Sequence, residues 1–338
     1  MNTKRTLLVL VVFFGIFHAL TGQKTSIFQY LTQTEGNALH LEFDITQLIA
    51  NKKTSEYLPG ALTLADGSSM SVKVRARGKF RRRISEVPPL KIKFAKKELN
   101  ALGLDTLNEV KIVLPVTFEP EAEARLLLEY AAYRMYEQIS DFHFKARLIR
   151  LTLRDRHVEQ SRPQVWAILL EHEEELAARY QGTIDEQFGI TTDSLLANSA
   201  ALHAAFQYMI GNTDWSIEDQ RNVCILRLKA AEKGIVIPYD FDFSGLVSAP
   251  YSSPASGLGL TTVREHALLK GNLTDKEVRK GIDVLLKKEA GCYETLNRAR
   301  LSAAQIQAAR QYLSDFFDTL TASDTIPDRI PDKARSLR

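Results

Sequence analysis

Apolar and polar residues alternate along most of the first half of the chain, and this period of two predicts β-strands. The predicted strands cover residues 38–45, 62–64, 70–77, 90–94, 108–114, 146–153 and 164–170. One segment breaks the alternation: residues 119–139 have apolar side chains at helical spacing and acidic side chains in the first turn, as expected for a helix. The first half is therefore predicted to be β-rich with a single long helix.

Helical spacing replaces the alternation after Glu171. Three further helices are predicted at 193–210, 275–290 and 302–322, with a pair of short strands at 223–228 and 234–239. Thr192 or Asp193 is the predicted N-cap of the first of these helices. The sequence thus predicts an α+β protein whose β-rich N-terminal part and helical C-terminal part join near Glu171.

The first 22 residues have the pattern of an export signal. Lys4 and Arg5 precede an uncharged apolar run at 7–17, and small residues follow as they do at cleavage sites. The run is too short to span a bilayer comfortably, and no later segment has eighteen consecutive apolar residues. We expect a mature chain that begins near Gln23, lies outside the cytoplasm (periplasmic or secreted) and has no membrane span. The predicted parts are a signal peptide at 1–22, a β-rich part at 23–171, a helical part at 172–323 and a loose tail at 324–338.

The composition is that of a globular protein, with 338 residues of which 45% are hydrophobic and 25% charged. These values exclude disordered chains and small disulfide scaffolds. The formal net charge is only +3, but residues 73–97 contain eleven Lys or Arg and a single acid. Such a run is usually a solvated face, and the alternative is that it contacts phosphate or another anion. Because it has only Phe80 as an interleaved aromatic and the chain is predicted to be exported, we expect no nucleic-acid partner.

Two cysteines, Cys224 and Cys292, are too few for a disulfide framework. Cys224 lies in the apolar run 223–226, where a free thiol is commonly buried. We therefore expect two separate thiols, and the alternative is a single disulfide.

The residues most informative about chemistry lie between 209 and 245. A predicted helix ends at Gly211, and Asp214 lies in the loop that follows it. Asn222 opens the next predicted strand, and Asp240 and Asp242 follow the strand after that. This order suits phosphoryl transfer, in which one carboxylate orients the attacking hydroxyl while amide and carboxylate oxygens hold Mg²⁺ against nucleotide phosphates. The alternative is that these residues only form turns, since Asp and Asn are common in loops.

The same stretch resembles the CotH-type (spore coat protein H-like) kinases, atypical and often secreted members of the protein-kinase-like superfamily. The main likeness lies in Gly-Asn-Thr-Asp-Trp at 211–215 with Asn222, and in Ile-Pro-Tyr-Asp-Phe-Asp at 237–242. Weaker matches are Arg-Gly at 77–78, the Lys-bearing strand within 89–94, the helix at 123–136 and the strand within 165–175. The resemblance covers roughly 72–244 and implies a two-lobed protein-kinase-like fold, with a β-rich N-terminal lobe and a helical C-terminal lobe.

The resemblance also implies roles for the acidic residues. Asp214 would be the catalytic Asp, Asn222 and Asp240 would be metal ligands, and Asp242 would be an additional carboxylate beside the metal, Mg²⁺ or Mn²⁺. Two features depart from the kinase pattern. The spacing from Asp214 to Asn222 is eight residues, whereas five is usual. The segment 75–83 is basic and does not form a glycine-rich loop, so its charge would have to cover the phosphates.

For ATP, the resemblance points to Lys91 or Lys93 as the contact to the α- and β-phosphates, with Glu129 as the helix partner of that lysine. The two lysines alternate with apolar residues on one predicted strand and so share a face. The sequence therefore does not choose between them.

Together these features predict an exported phosphotransferase that moves the γ-phosphate of ATP to a hydroxyl of a protein or an envelope glycan, assisted by Mg²⁺. The competing hypothesis is a non-catalytic binding or scaffold protein of the cell envelope. The three carboxylates Asp214, Asp240 and Asp242 favour the enzyme. The long Asp–Asn loop and the scarcity of ATP outside the cytoplasm favour the binding protein.

Overall fold

The computed structural model describes residues 24–34, 36–158, 161–229, 231–322 and 325–332. The predicted signal peptide at 1–22 lies outside these residues. The elements of the first half are α1 (Ile27–Leu31), β1 (Ala38–Phe43), α2 (Ile45–Ala50), β2 (Leu58–Leu64), β3 (Ser69–Ala76), α3 (Arg81–Ile84), β4 (Leu90–Phe94), α4 (Lys96–Ala101), β5 (Glu109–Val113), α5 (Pro120–Ile139), β6 (Ala146–Asp155) and β7 (Val165–Leu170). Those of the second half are α6 (Glu173–Arg179), β8 (Gly182–Asp185), a 3-10 turn (Thr192–Ser194), α7 (Ala197–Met209), β9 (Val223–Leu228), β10 (Ile235–Pro238), β11 (His266–Ala267), α8 (Asp275–Asn297), α9 (Ala303–Thr321) and β12 (Arg329–Ile330).

Seven strands of the first half form a closed barrel in the order β1-β2-β3-β4-β5-β7-β6. Strand β1 closes it, because β1 pairs antiparallel with β2 on one side and parallel with β6 on the other. Leu39 illustrates the double pairing, since its register partners are Leu64 and Leu151. The alternate apolar residues of these strands point inward and form one of two hydrophobic cores.

The predicted two-lobed protein-kinase-like fold is wrong, because the N-terminal strands form a closed mixed barrel. Alternation along a strand indicates which residues face a core but carries no information about which strand lies beside it. The residues of β1 were predicted to form a strand. The pairing of that strand with β6, far along the chain, was not predictable from its own pattern.

The second core joins α5 to the C-terminal helices α7, α8 and α9 and to the short sheet β10-β9-β8. The helix predicted at 119–139 is confirmed as Pro120–Ile139, and the strands predicted at 90–94 and 223–228 are confirmed at the same bounds. The N-cap prediction at Thr192 or Asp193 is wrong. Leu196 is the N-cap residue, because its backbone is still extended and the helix begins only at Ala197; its N–H donates to the carbonyl of Gly234 at 2.8 Å.

Cys224 and Cys292 are both buried and free, which confirms the prediction of two separate thiols. Within the segment predicted as a tail, Arg329 and Ile330 form strand β12 and pair with β11. None of the helices in the described part of the chain combines the length and the apolar character needed to cross a bilayer.

Candidate active site

Arg81 is the centre of a buried cluster of charges, and the guanidinium is bound by three carboxylates. Its Nη2 lies 2.7 Å from Glu129 Oε1 and 2.5 Å from Asp240 Oδ1. Its Nε lies 3.0 Å from Asp242 Oδ2. The side chains of Arg81 and Glu129 are only 7% and 1% exposed, whereas that of Asp240 is 35% exposed. The cluster is therefore buried within the protein and reaches solvent on the side of Asp240.

Local structure explains how the basic segment reaches these acids. Gly78 has a φ of +81°, which lets the chain turn after β3, and the one-turn helix α3 then begins at Arg81. The preceding residue, Phe80, packs edge-on against Phe243 at 5.1 Å between ring centroids and lies 5.7 Å from the ring of Tyr251. These aromatic contacts hold α3 against the loop that follows β10.

The two acids after β10 are held by different groups. Asp240 has a φ of +64°, a left-handed conformation that Asp tolerates better than most residues, and its N–H donates to Tyr133 Oη at 2.9 Å. Asp242 is buried and accepts a hydrogen bond from Tyr251 Oη at 3.0 Å. The main chain of Asp240 and the carboxyl group of Asp242 are thus each held by a tyrosine, in addition to the contacts with Arg81.

One guanidinium does not neutralise three carboxylates, and the pKa values reflect this. Burial raises the pKa of Glu129, and it raises the pKa of Asp242 well above its ordinary value. The charge of Asp240 raises both pKa values further. Burial also opposes ionisation of Asp240, but the charges of Arg81 and Arg77 hold the pKa of this carboxyl below its ordinary value. Glu129 and Asp242 thus resist ionisation, and Asp240 is the most readily ionised of the three acids.

Asp214 and Asn222, the candidate catalytic and metal-binding residues of the preceding loop, contact each other directly. Asn222 Nδ2 donates to the carbonyl oxygen of Asp214 at 2.6 Å and to its Oδ2 at 3.0 Å. Arg221 Nε lies 3.3 Å from the other carboxylate oxygen. Burial raises the pKa of Asp214, and the nearby charge of Asp240 raises it further. The carboxylate is therefore oriented by its neighbours and electrostatically coupled to the Arg81 cluster.

The loop that carries Asp214 is built on the end of α7. Asn212 Oδ1 accepts the N–H of Asp214 at 3.0 Å, and the indole N–H of Trp215 donates to the carbonyl of Asn212 at 3.1 Å. Asn212 is itself buried and donates its side-chain amide to Gln207 at 3.0 Å. These bonds fix the loop to the helix core.

Lys91 and Lys93 share the outer face of β4, as predicted, and both bind Glu109. Their Nζ atoms lie 2.7 and 3.2 Å from its carboxylate oxygens. Glu129, the predicted helix partner of one of them, contacts Arg81 instead. Among the contacts of the described residues, none joins either lysine to the acids around Arg81 or to Asp214.

The sequence reasoning missed Lys111, a buried lysine on β5 that is 2% exposed. Its Nζ binds the carboxylate of Glu173 and lies 5.2 and 5.7 Å from the ring centroids of Phe144 and Tyr239. Burial lowers the pKa of Lys111 to about 8. Tyr239 directly precedes Asp240, so Lys111 is the lysine that the fold brings toward the acidic loop. The sequence feature that could have identified Lys111 is its position as the single lysine within the apolar run 110–114.

Two cavities adjoin these groups. A cavity of about 200 Å³ lies against Arg81, Glu129 and Asp242 and is otherwise lined mainly by apolar residues of the segment before α5 and of α5 itself. A more open groove of about 440 Å³ lies beside the Asp214 loop, and Trp215 and Arg221 form part of its wall. The Arg81 cluster and the Asp214 loop thus each have space for a small group beside them.

The donors around Arg81 fit a hard divalent cation in their chemistry. Asp240 and Asp242 supply carboxyl oxygens that converge on one positive charge. In the described part of the chain, no three or more His, Cys, Asp or Glu side chains form a ready-made ligand set. The reason is visible in the contacts, because Arg81 lies between the carboxylates.

No family model matches this sequence, and no curated protein matches it either. The resemblance to the CotH-type kinases therefore depends on the sequence motifs, chiefly those at 211–222 and 237–242.

Proposed function

We propose that the protein is a phosphotransferase that moves the γ-phosphate of ATP to a hydroxyl group, with Asp214 orienting the acceptor hydroxyl. The observation that carries this proposal is the arrangement of Asp214. Its carboxylate is held by Asn222 and Arg221 and is electrostatically coupled to Asp240, and Trp215 and Arg221 of the same loop line an open groove. A carboxylate that is oriented, partly exposed and next to a second acidic site is what hydroxyl activation requires.

Positive groups for the phosphates come from the same region. Lys111 lies beside the Tyr239 ring, and Arg77 is close enough to lower the pKa of Asp240. Arg81 contacts Asp240 directly. A guanidinium or ammonium group can bind phosphate oxygens by charge-assisted hydrogen bonds. We infer that these three residues, more than Lys91 and Lys93, provide the charge that ATP needs.

Asp240 and Asp242 would hold Mg²⁺ or Mn²⁺, and Asn222 is the remaining candidate ligand from the sequence. When bound, the metal ion would neutralise phosphate charge. The groove beside Trp215 is the proposed acceptor side, and the acceptor is a hydroxyl of a protein or a glycan. With the export pattern at 1–22, the proposed place of action is outside the cytoplasm, in the cell envelope.

The second candidate is a non-catalytic binding protein of the cell envelope. One observation favours it: the carboxylates proposed to hold the metal are already paired with Arg81. A chain that no longer turns over nucleotide could keep this pairing as a permanent structural contact.

A comparison of Asp214→Asn with Asp219→Asn separates the two candidates. Asp219 is exposed in the same loop, so its substitution is a control for changes of the loop itself. ATP binding in the presence of Mg²⁺ is measured by thermal shift and by calorimetry, and turnover by release of ADP with a mixed envelope fraction as acceptor. We expect the wild type and Asp219→Asn to bind and turn over ATP, and Asp214→Asn to bind it with turnover reduced at least about 100-fold.

Equal turnover in all three proteins would contradict the assignment of Asp214. Binding of ATP without turnover in the wild type would support the non-catalytic binding protein. If the wild type did not bind ATP at all, neither the phosphotransferase nor a nucleotide-binding protein would be supported.

A further inference from the structure

The contacts of Arg81 divide into a buried pair and a pair that reaches solvent. Glu129 is the most deeply buried of the three acids, and its Oε1 lies 2.7 Å from Nη2 of Arg81. Asp240 is the most exposed, and its contact at 2.5 Å lies at the solvent edge. Arg81 can therefore lose the contact with Asp240 while Glu129 still binds it and its side chain stays buried.

The same guanidinium determines how Asp240 and Asp242 lie relative to each other. These two carboxylates come from one loop, and each binds a different nitrogen of Arg81. Each contact turns one carboxylate oxygen toward the same position, to which a divalent cation would also be attracted. The arrangement that suits a divalent cation is thus maintained by a residue that also occupies the carboxylate oxygens.

We propose that Arg81 is a positioning residue that competes with a divalent cation for Asp240 and Asp242, and so lowers the affinity of this site for metal. The inference rests on the proposed function, because it takes these two acids as the metal ligands. It adds a role for a residue of the basic segment that neither the motifs nor the resemblance single out.

The charge balance gives the direction of the effect. With Arg81 in place, its guanidinium binds Asp240 Oδ1 and Asp242 Oδ2, so a divalent cation must displace it to reach these oxygens. Replacement of Arg81 by Met removes the competing positive charge, while the unbranched apolar side chain retains much of the buried volume. A divalent cation should then bind more tightly, by about tenfold or more.

The test measures Mn²⁺ binding by calorimetry and by the electron paramagnetic resonance of free Mn²⁺, without nucleotide and without any assay of activity. The proteins compared are the wild type, Arg81→Met, Asp240→Asn and the double variant. Arg82→Met is the matched control, since Arg82 lies on the same helix and contacts none of the three acids. We expect tighter binding in Arg81→Met, wild-type binding in Arg82→Met, and loss of the gain in the double variant.

Binding by Arg81→Met that is no tighter than in the wild type would overturn the role of Arg81, provided that circular dichroism shows a folded protein. If Asp240→Asn still abolishes binding in that case, the metal assignment stands and only this inference fails. If Mn²⁺ binds none of the proteins, or if its binding is indifferent to Asp240→Asn, the metal assignment of the proposed function fails as well.

A second measurement covers the case in which Arg81→Met does not fold. The Nε–H group of Arg81, held by Asp242, should give a protected signal in a ¹⁵N NMR spectrum, identified by its disappearance in Arg81→Lys. Addition of Mg²⁺ should shift that signal as the contacts to Asp240 and Asp242 are lost. A signal that does not move while Mg²⁺ binds would show that arginine and metal do not compete.

Discussion

Asn222 donates its side-chain amide to Asp214 twice, at 3.0 Å to the carboxylate and at 2.6 Å to the backbone carbonyl of the same residue. The two residues are eight positions apart in the sequence. The side-chain amide of Asn222, at the end of the loop, therefore holds both the carboxylate and the main-chain carbonyl of Asp214 at its start. The spacing that departs from the usual kinase pattern is bridged by this contact.

Asn222→Ala should reduce turnover because it removes the group that orients Asp214. We expect kcat to fall by about tenfold or more, with little change in the affinity for ATP, since the amide contacts no group proposed to bind the phosphates. Steady-state kinetics and calorimetry measure the two quantities. Asp219→Asn is the control in the same loop. An unchanged kcat would show that Asp214 does not depend on Asn222, and loss of Mn²⁺ binding would instead support Asn222 as a metal ligand.

Lys111→Met should weaken ATP binding by about tenfold, whereas Lys93→Met should leave it nearly unchanged. Lys111 is buried beside Tyr239, while Lys93 lies on the outer face of the barrel with Glu109. Because burial lowers the pKa of Lys111 to about 8, its ammonium charge is lost as the pH rises through that value. The affinity of the wild type for ATP should therefore fall between about pH 7 and pH 9, and this fall should be absent in Lys111→Met. If Lys93→Met weakened ATP binding more than Lys111→Met, the phosphate contact would have to be assigned to β4.

Glu175→Gln should change how stability depends on pH. Burial raises the pKa of Glu175 from 4.5 to about 7, and Ser26 donates a hydrogen bond to its carboxyl group. The folded protein then binds one more proton than the unfolded chain between about pH 4.5 and 7, so the free energy of unfolding falls as the pH rises through this range, by up to about 3 kcal/mol.

Glu175→Gln should remove this fall and be the more stable protein at pH 8, with little difference at pH 4. Urea unfolding at several pH values measures the free energy of unfolding of each protein. Glu174→Gln, one residue away and exposed, is the control and should keep the slope of the wild type. Parallel pH profiles for the wild type and Glu175→Gln would contradict the prediction.

Gly211→Ala should destabilise the protein by about 3 kcal/mol. Gly211 has a φ of +62°, and a Cβ there would lie 2.1 Å from Tyr312 Oη, which is buried and stacked on His266. The left-handed strain and the clash both add to the cost. Gly257→Ala is the matched control, since Gly257 has a φ of +85° but open space around it, so it should cost only about 1 kcal/mol. Equal midpoints in thermal unfolding would show that Tyr312 moves aside freely.

The parts of the site that the sequence predicted are those defined by neighbours in the chain. Asp214 follows the end of α7, and Asp240 and Asp242 follow β10, so the pattern of elements was enough to place them in adjacent loops. The contact between Asp214 and Asn222 lies within a single loop and likewise joins residues that are close in the sequence. Because these four residues are close in the sequence, the chain between them limits how far apart they can lie in the fold.

Arg81 could not be found in this way. It is one of three consecutive arginines, and nothing in the sequence distinguishes Arg81 from Arg82 or Arg83. Its role is determined by Glu129, 48 positions away, and by Asp240, 159 positions away. Pairings at such separations depend on the tertiary fold, and the predicted fold was wrong at the barrel.

The closure of the barrel has a consequence for the order of folding. Strand β1 is the first strand of the chain in the described residues, yet its parallel neighbour β6 follows only after four other strands and the long helix α5. The ring of hydrogen bonds cannot close until that distant segment is present, and contacts so far apart in sequence slow the folding of a domain. Until β1 and β6 pair, each presents an unpaired edge to other chains. A substitution that weakens the register of Leu39 with Leu151 should therefore lower the yield of folded protein more than its effect on the finished structure suggests.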